Sequence, residues 1–162
     1  AGRYGNLVGL PTLQLADTDK PGVVTIPFKP YDLKLNGDFS AAMEVFHDDL
    51  HHDVIGFGLH GGKGQSLEVA LFYNDRKFLL QAKVGATALP VANVTTIVDN
   101  DKPCVIGIDR VGNALVISLN SQPVGNPIPV GKVPHVYEGA AINLKTDRKH
   151  SPHVTRVFVV AK

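Results

Sequence analysis

The chain has 162 residues, 44% hydrophobic and 19% charged, which is enough apolar length to bury a substantial core within one domain. Its 16 Lys and Arg are scattered among 15 Asp and Glu, giving a formal charge of +1. Without a basic block interleaved with aromatics there is no phosphate-tracking surface, so no nucleic-acid partner is expected. No apolar run approaches the roughly 18 to 20 residues of a membrane-spanning helix, and no membrane span is expected.

Residues Ala1 to Lys20 are irregular, broken by Gly5, Gly9 and Pro11, and are expected to form an N-terminal arm or edge segment of a single domain covering residues 1–162. The chain opens at Ala1 without an initiator Met or a charged-then-apolar leader, as expected where something has been removed. A secreted or extracellular setting is slightly favoured. Gly22 to Phe28 reads as a short strand whose Pro27 suits an edge or a bulge, and Pro30 closes it.

After the Asn36-Gly37 turn, Asp38 to Phe46 alternates, with Phe39, Ala41, Met43 and Val45 on one face. Ala, Met and Glu are good helix formers, so a short helix competes, but the turn signal and the strands that follow favour the sheet. The next segment, His47 to Asp53, holds six potential metal ligands in seven residues. His47, Asp49, His51 and Asp53 are the candidate metal set, for a divalent ion such as calcium or zinc. The mixture fits neither the tetrahedral zinc nor the oxygen-rich calcium pattern cleanly, and a solvated loop is the plainer reading; no cofactor is required.

Val54 to His60 is an apolar strand whose glycines suit close approach of a neighbouring strand or a ligand, and it ends at Gly61-Gly62. The run His60 to Gly64 lacks the spacing of a phosphate loop and reads as a surface turn. A hairpin follows over Glu68 to Gln81, with a tight turn expected at Asn74-Asp75 that pairs Leu71 with Phe78 and Val69 with Leu80. Val69, Leu71, Phe78 and Leu80 should face the core, whereas Glu68, Phe72, Lys77 and Gln81 form a half-polar face able to line a concave surface. Cys104 to Asn120 repeats the plan around Gly112-Asn113, a pair suited to a type II′ turn. Ile106, Ile108, Leu115, Ile117 and Leu119 lie on its core face; Gly107, Asp109, Val116, Ser118 and Asn120 lie on the other. The lone Cys104, in an apolar strand, is expected to be a small buried hydrophobe. A proline-punctuated crossing, Gln122 to Pro134, leads to strands at Ala140 to Leu144 and Thr155 to Val160.

The whole reads as an all-β protein, an antiparallel β-sandwich. Val105 to Gly125, VIGIDRVGNALVISLNSQPVG, with AAINL at Ala140 to Leu144 and HVTRVFVV at His153 to Val160, resembles the concanavalin A-like jelly-roll superfamily, in particular its laminin-G-like and carbohydrate-binding or lectin-type members. Galectins share a related sandwich, but their sugar-site signature of His-Asn-Pro-Arg, a downstream Trp and Glu-Arg is absent, and the chain has no Trp. The resemblance implies a non-catalytic carbohydrate-binding domain whose partner is a glycan or polysaccharide, held on a half-polar sheet face or in loops at one sandwich end.

The residues themselves offer His60, Glu68, Tyr73, Arg76, Lys77, Gln81, Asp109 and Asn120 as ligand contacts, since sugar hydroxyls need amide and charged groups beside an aromatic face. Hydrolysis needs two carboxylates flanking one bond, and the three glutamates, Glu44, Glu68 and Glu138, have no acidic neighbour two or four residues along the same strand. A glycan-active hydrolase or lyase is therefore the weakest reading and no catalytic residue is assigned. The alternative is a protein-interaction or structural module, with a homo-oligomer or protein partner, working through an unpaired edge or the same sheet face. A polar groove would favour glycan; a flat face with Phe72, Leu79 and Val116 exposed would favour protein.

Overall fold

Alternating side chains become strand after strand in the computed structural model, which describes residues 12–14, 22–47, 49–99, 102–130, 136–147 and 152–162. In chain order these are β1 (Thr12–Gln14), β2 (Gly22–Pro27), β3 (Phe39–Phe46), β4 (Asp53–His60), β5 (Ser66–Asn74), β6 (Lys77–Val84) and β7 (Thr87–Ala88). There follow β8 (Ala92–Asn93), β9 (Cys104–Val111), β10 (Ala114–Leu119), β11 (Gln122–Pro123), β12 (Ile128–Pro129), β13 (Gly139–Thr146) and β14 (His153–Ala161). Among the described residues the helical pieces are two short 3-10 turns, Lys29–Tyr31 and Leu50–His52, and no helix is long and apolar enough to cross a membrane.

The strands form two antiparallel sheets. One runs β1-β14-β3-β9-β10-β11 with β12 also on β10, and the other runs β2-β13-β4-β5-β6-β7 with β8 also on β6. Only the β5–β6 and β9–β10 hairpins, the β4–β5 turn and the short edge strands join neighbours within a sheet; the other connections cross between sheets. β2 is an edge strand, which explains how it tolerates Pro27. β1 is likewise an edge of the first sheet, while the rest of the expected N-terminal arm lies outside the described residues.

The core is the facing sides of the two sheets. Phe39, Ala41, Met43 and Val45 of β3, with Ile106, Ile108, Leu115, Ile117 and Leu119 of the β9–β10 hairpin, meet Ile55, Phe57 and Leu59 of β4, Val69 and Leu71 of β5, and Ile142 and Leu144 of β13. Tyr137 is fully buried edge-on to Phe39, with ring centroids 5.9 Å apart, and burial pushes its phenol up to about 12 against the lowering effect of the Arg110 guanidinium. Cys104 sits in the same core, and burial alone pushes its thiol up to about 12.

The first hairpin turns one residue later than expected, on Asp75-Arg76, both at positive φ (51° and 63°), as a type I′ turn requires. Leu71 therefore pairs with Leu80 and Val69 with Ala82. The partner shift is two residues, so every side chain keeps its expected face. What distinguishes the two registers is the outer face. The observed one sets Glu68 opposite Lys83 and Phe72 opposite Leu79, whereas the expected one would have set Glu68 against Gln81 and Phe72 against Lys77. The second hairpin turns at Gly112-Asn113 as expected, with positive φ only at Gly112 (61°).

Candidate functional site

The outer face of the second sheet is a lattice of cross-strand rows. One row holds Thr25 of β2, Ala141 of β13, Gly58 of β4, Glu68 of β5, Lys83 of β6 and Ala88 of β7. The next, about 7 Å along the strands, holds Val23, Asn143, Gly56, Ala70 and Gln81. At its centre the residues are Gly58, Ala141, Gly56 and Ala70, so the sheet backbone is nearly bare there, and the polar side chains stand around it. The result is a groove of about 240 Å³ lined by these glycines and alanines with Glu68, Gln81, Lys83, Asn143 and Val23.

The glycines are required by packing as well as by the groove. A Cβ on Gly58 would lie 2.9 Å from the Leu67 carbonyl oxygen, and one on Gly56 would lie 3.1 Å from Asn143 Cβ. Glu68 and Lys83 face each other across β5 and β6, yet among the described residues neither is engaged in an ion pair, so both charges are available to a ligand. Gln81 donates its amide N–H to the Leu89 carbonyl at 3.0 Å, which orients the side chain and leaves its oxygen to accept. Asn143 lines the groove with its side chain, but its Oδ1 is buried, with no hydrogen-bond partner among the described residues, and is not presented at the groove surface.

Of the eight expected ligand contacts, the structure brings Glu68 and Gln81 into this groove and His60 to the next row of the same face. The others lie elsewhere. Tyr73 points inward, its ring edge-on to His51 with centroids 4.4 Å apart and tilted against Phe78 at 4.9 Å. Arg76 occupies the tight turn, and Lys77, on the same outer face, pairs with Asn74 beside it, two rows along from Gln81 and outside the groove. Asp109, expected to be exposed, is only 3% accessible on the outer face of the first sheet. Asn120 is at positive φ (51°) in the β10–β11 turn, and its Oδ1 accepts from the Val105 N–H at 2.9 Å, a fastening between strands and not an open contact. The residues missed by sequence reasoning are Lys83 and Asn143 and the small-residue centre at Ala70 and Ala141. Lys83 follows from the hairpin register, two residues beyond the expected end at Gln81, whereas Asn143 depends on a pairing of strands more than 80 residues apart, which no local pattern carries.

The expected metal set is not brought together. Among the described residues no three His, Cys, Asp or Glu side chains are arranged to hold an ion. Asp49 instead caps the 3-10 turn, accepting from the His51 N–H at 3.1 Å and contacting His51 Nδ1 at 2.5 Å. His52 Nδ1 reaches Asp147 Oδ1 at 2.8 Å. Asp53 is 5% accessible at the start of β4. The cluster pins the β3–β4 connection to the β13–β14 connection and to the aromatic rings of the first hairpin.

No protein-family model and no curated protein sequence matches the chain. Solved structures do. The galectin LEC-6 of Caenorhabditis elegans matches at a TM-score of 0.57 and 11% identity, covering 90% of this chain and 94% of that one. The CBM2 module of the evolved Dit of Lactobacillus casei BL23 phage J-1 matches at 0.59 and 18%, covering 85% and 66%. A native glycosidic hydrolase matches at 0.54 and 9%, covering 76% and 64%. The chain thus has the concanavalin A-like jelly-roll sandwich fold, one shared by lectins, carbohydrate-binding modules and glycosidases. At such identities the likeness carries the architecture, and the site must be argued from its own residues.

Proposed function

We propose that this is a non-catalytic carbohydrate-binding domain that holds a saccharide in the outer groove of the second sheet. The observation that carries the reading is the groove itself: a bare centre of Gly56, Gly58, Ala70 and Ala141 ringed by Glu68, Lys83, Gln81 and Asn143. A centre without side chains lets a ring lie close to the backbone, and the ring of donors and acceptors suits a ligand whose periphery is hydroxyl. The fold shared with a galectin and a CBM2 module supports the same reading.

Two further observations favour binding of saccharide over the competing readings. Glycoside hydrolysis uses a pair of carboxylates about 5 to 9.5 Å apart across one bond, and Glu68 is the only carboxylate among the described residues lining the groove. A protein-docking face would need a contiguous apolar patch, but Phe72, Leu79 and Val116 are each only partly exposed, and the strongly exposed Val23, Tyr31, Phe46, Val91 and Val111 are scattered over separate elements. The test is a glycan-array screen followed by calorimetry on the hits. Binding that falls about tenfold or more in Glu68→Ala and Lys83→Ala, as loss of a charge-assisted hydrogen bond requires, supports the groove. Silence across a broad array from folded protein sinks it.

A further inference from the structure

The outer face of the second sheet continues past the groove. Two residues beyond Gly58 on β4 the outward residue is His60, and two before Ala141 on β13 it is Gly139; with Pro27 of β2 they make the next cross-strand row. That row opens into a second and larger hollow of about 580 Å³, lined by His60, Lys29, Asp32, Lys34 and Glu138.

The hollow is held in shape by the fold. The 3-10 turn Lys29–Tyr31 follows a fully buried Phe28 whose N–H donates to the Glu138 carbonyl at 2.9 Å, and Asp32 closes the turn in the left-handed region (φ 52°). The Cε1–Nε2 edge of the His60 ring rests over Gly139, where any Cβ would collide with it, so glycine at 139 is what lets the imidazole lie there. His60 Nε2, on the edge packed against Gly139, is buried without a hydrogen-bond partner among the described residues, so packing is what holds the ring at the rim of the hollow.

Its charges are mixed. Lys34 and Glu138 form an exposed pair at 3.6 Å, and Lys29 and Asp32 add one cation and one carboxylate whose side chains have no partner among the described residues. The groove repeats this with Lys83 facing Glu68. Lysine only donates, carboxylate only accepts, and a hydroxyl does both, so a lining with both signs and no excess charge suits a polyhydroxyl ligand that is itself uncharged. From Lys83 on β6 to Gly139 on β13 the track crosses three strand spacings, about 14 Å, and climbs one row. That is longer than a disaccharide can cover.

We infer that the hollow is a second saccharide subsite continuous with the groove, and that this face takes a neutral, unbranched oligosaccharide longer than a disaccharide. The inference rests on the saccharide reading of the groove. Calorimetry of the full chain with dimers and hexamers of neutral gluco-, xylo-, manno- and galacto-oligosaccharides, and with a galacturonate hexamer, tests it. The expected result is a hexamer bound at least tenfold more tightly than the dimer of the same sugar. Lys29→Ala and Glu138→Ala should each remove most of that gain while leaving dimer affinity within twofold, and the galacturonate hexamer should bind no tighter than its neutral counterpart. Equal affinity for dimer and hexamer, or variants that leave the hexamer unchanged, overturns the second subsite while the groove stands. A tenfold preference for galacturonate overturns the neutral ligand. Failure of every oligomer to bind the unmodified chain overturns the groove and this inference together.

Discussion

Gly58 shows how one residue serves both packing and site. Its missing side chain lets β4 and β5 approach and keeps the groove shallow, so Gly58→Ala must push the Leu67 carbonyl, part of the sheet backbone, out of its way. A cost of about 1–3 kcal/mol is expected from such overpacking, read as a lower midpoint in urea unfolding. Glu68→Ala is the contrasting case: an exposed side chain without a partner, whose loss should leave unfolding stability within about 0.5 kcal/mol while weakening saccharide binding. Cys104 belongs to the core and to no chemistry. With its thiol buried and pushed up to about 12, it should resist a thiol-reactive probe at pH 8 in the native state and react fully once the chain is unfolded in guanidinium. Labelling of native protein would contradict that burial.

At the scale of elements, the longer strands were legible because most keep a two-residue period, broken in β14 by the bulge between Val154 and Arg156, and the two hairpins because their turns fall between apolar runs. The two-residue strands β7, β8, β11 and β12 carry too little pattern to be read. The face of every side chain in the first hairpin could be read without knowing its register, since a two-residue slip preserves faces. The turn position could not. Asn74-Asp75 has the better local turn chemistry, yet the chain turns on Asp75-Arg76, where the outer-face pairs Glu68 with Lys83 and Phe72 with Leu79 form. Arg76 is thereby held at positive φ (63°), a conformation costing a side chain about 1 kcal/mol. Arg76→Gly should raise stability by roughly 0.5–1 kcal/mol in urea unfolding, and a loss of stability would contradict the turn assignment. The site was legible only in part for the same reason. Glu68 and Gln81 lie on a local hairpin, whereas the groove is completed by β13, which reaches β4 only through the global strand order. Asp109 and Asn120 sit on an alternating pattern as regular as that of Glu68, and alternation alone does not say which outer face stays open.

For the whole molecule, the two outer faces differ in what they leave accessible. On the first sheet Ser40, Ala42, Asp109, Ser118 and Val160 are all buried, so polar strand residues there have no room for a ligand. The second sheet leaves Glu68, Gln81, Lys83 and Asn143 around a bare centre, with the His60 hollow beside it. The middle of one face is thus covered, with Phe46 and Val111 exposed only at its strand ends, while the other is open, and that asymmetry, more than the sandwich itself, is the basis for assigning function. It is tested most directly by recording backbone amide NMR spectra of the chain during titration with a neutral oligosaccharide found to bind. Shifts are expected to concentrate at Gly56, Gly58, Ala70, Gln81, Ala141 and Asn143, with the first sheet unmoved. Shifts confined to the first sheet around Ser40, Asp109 and Val116, or spread over the loops with the groove silent, would contradict it.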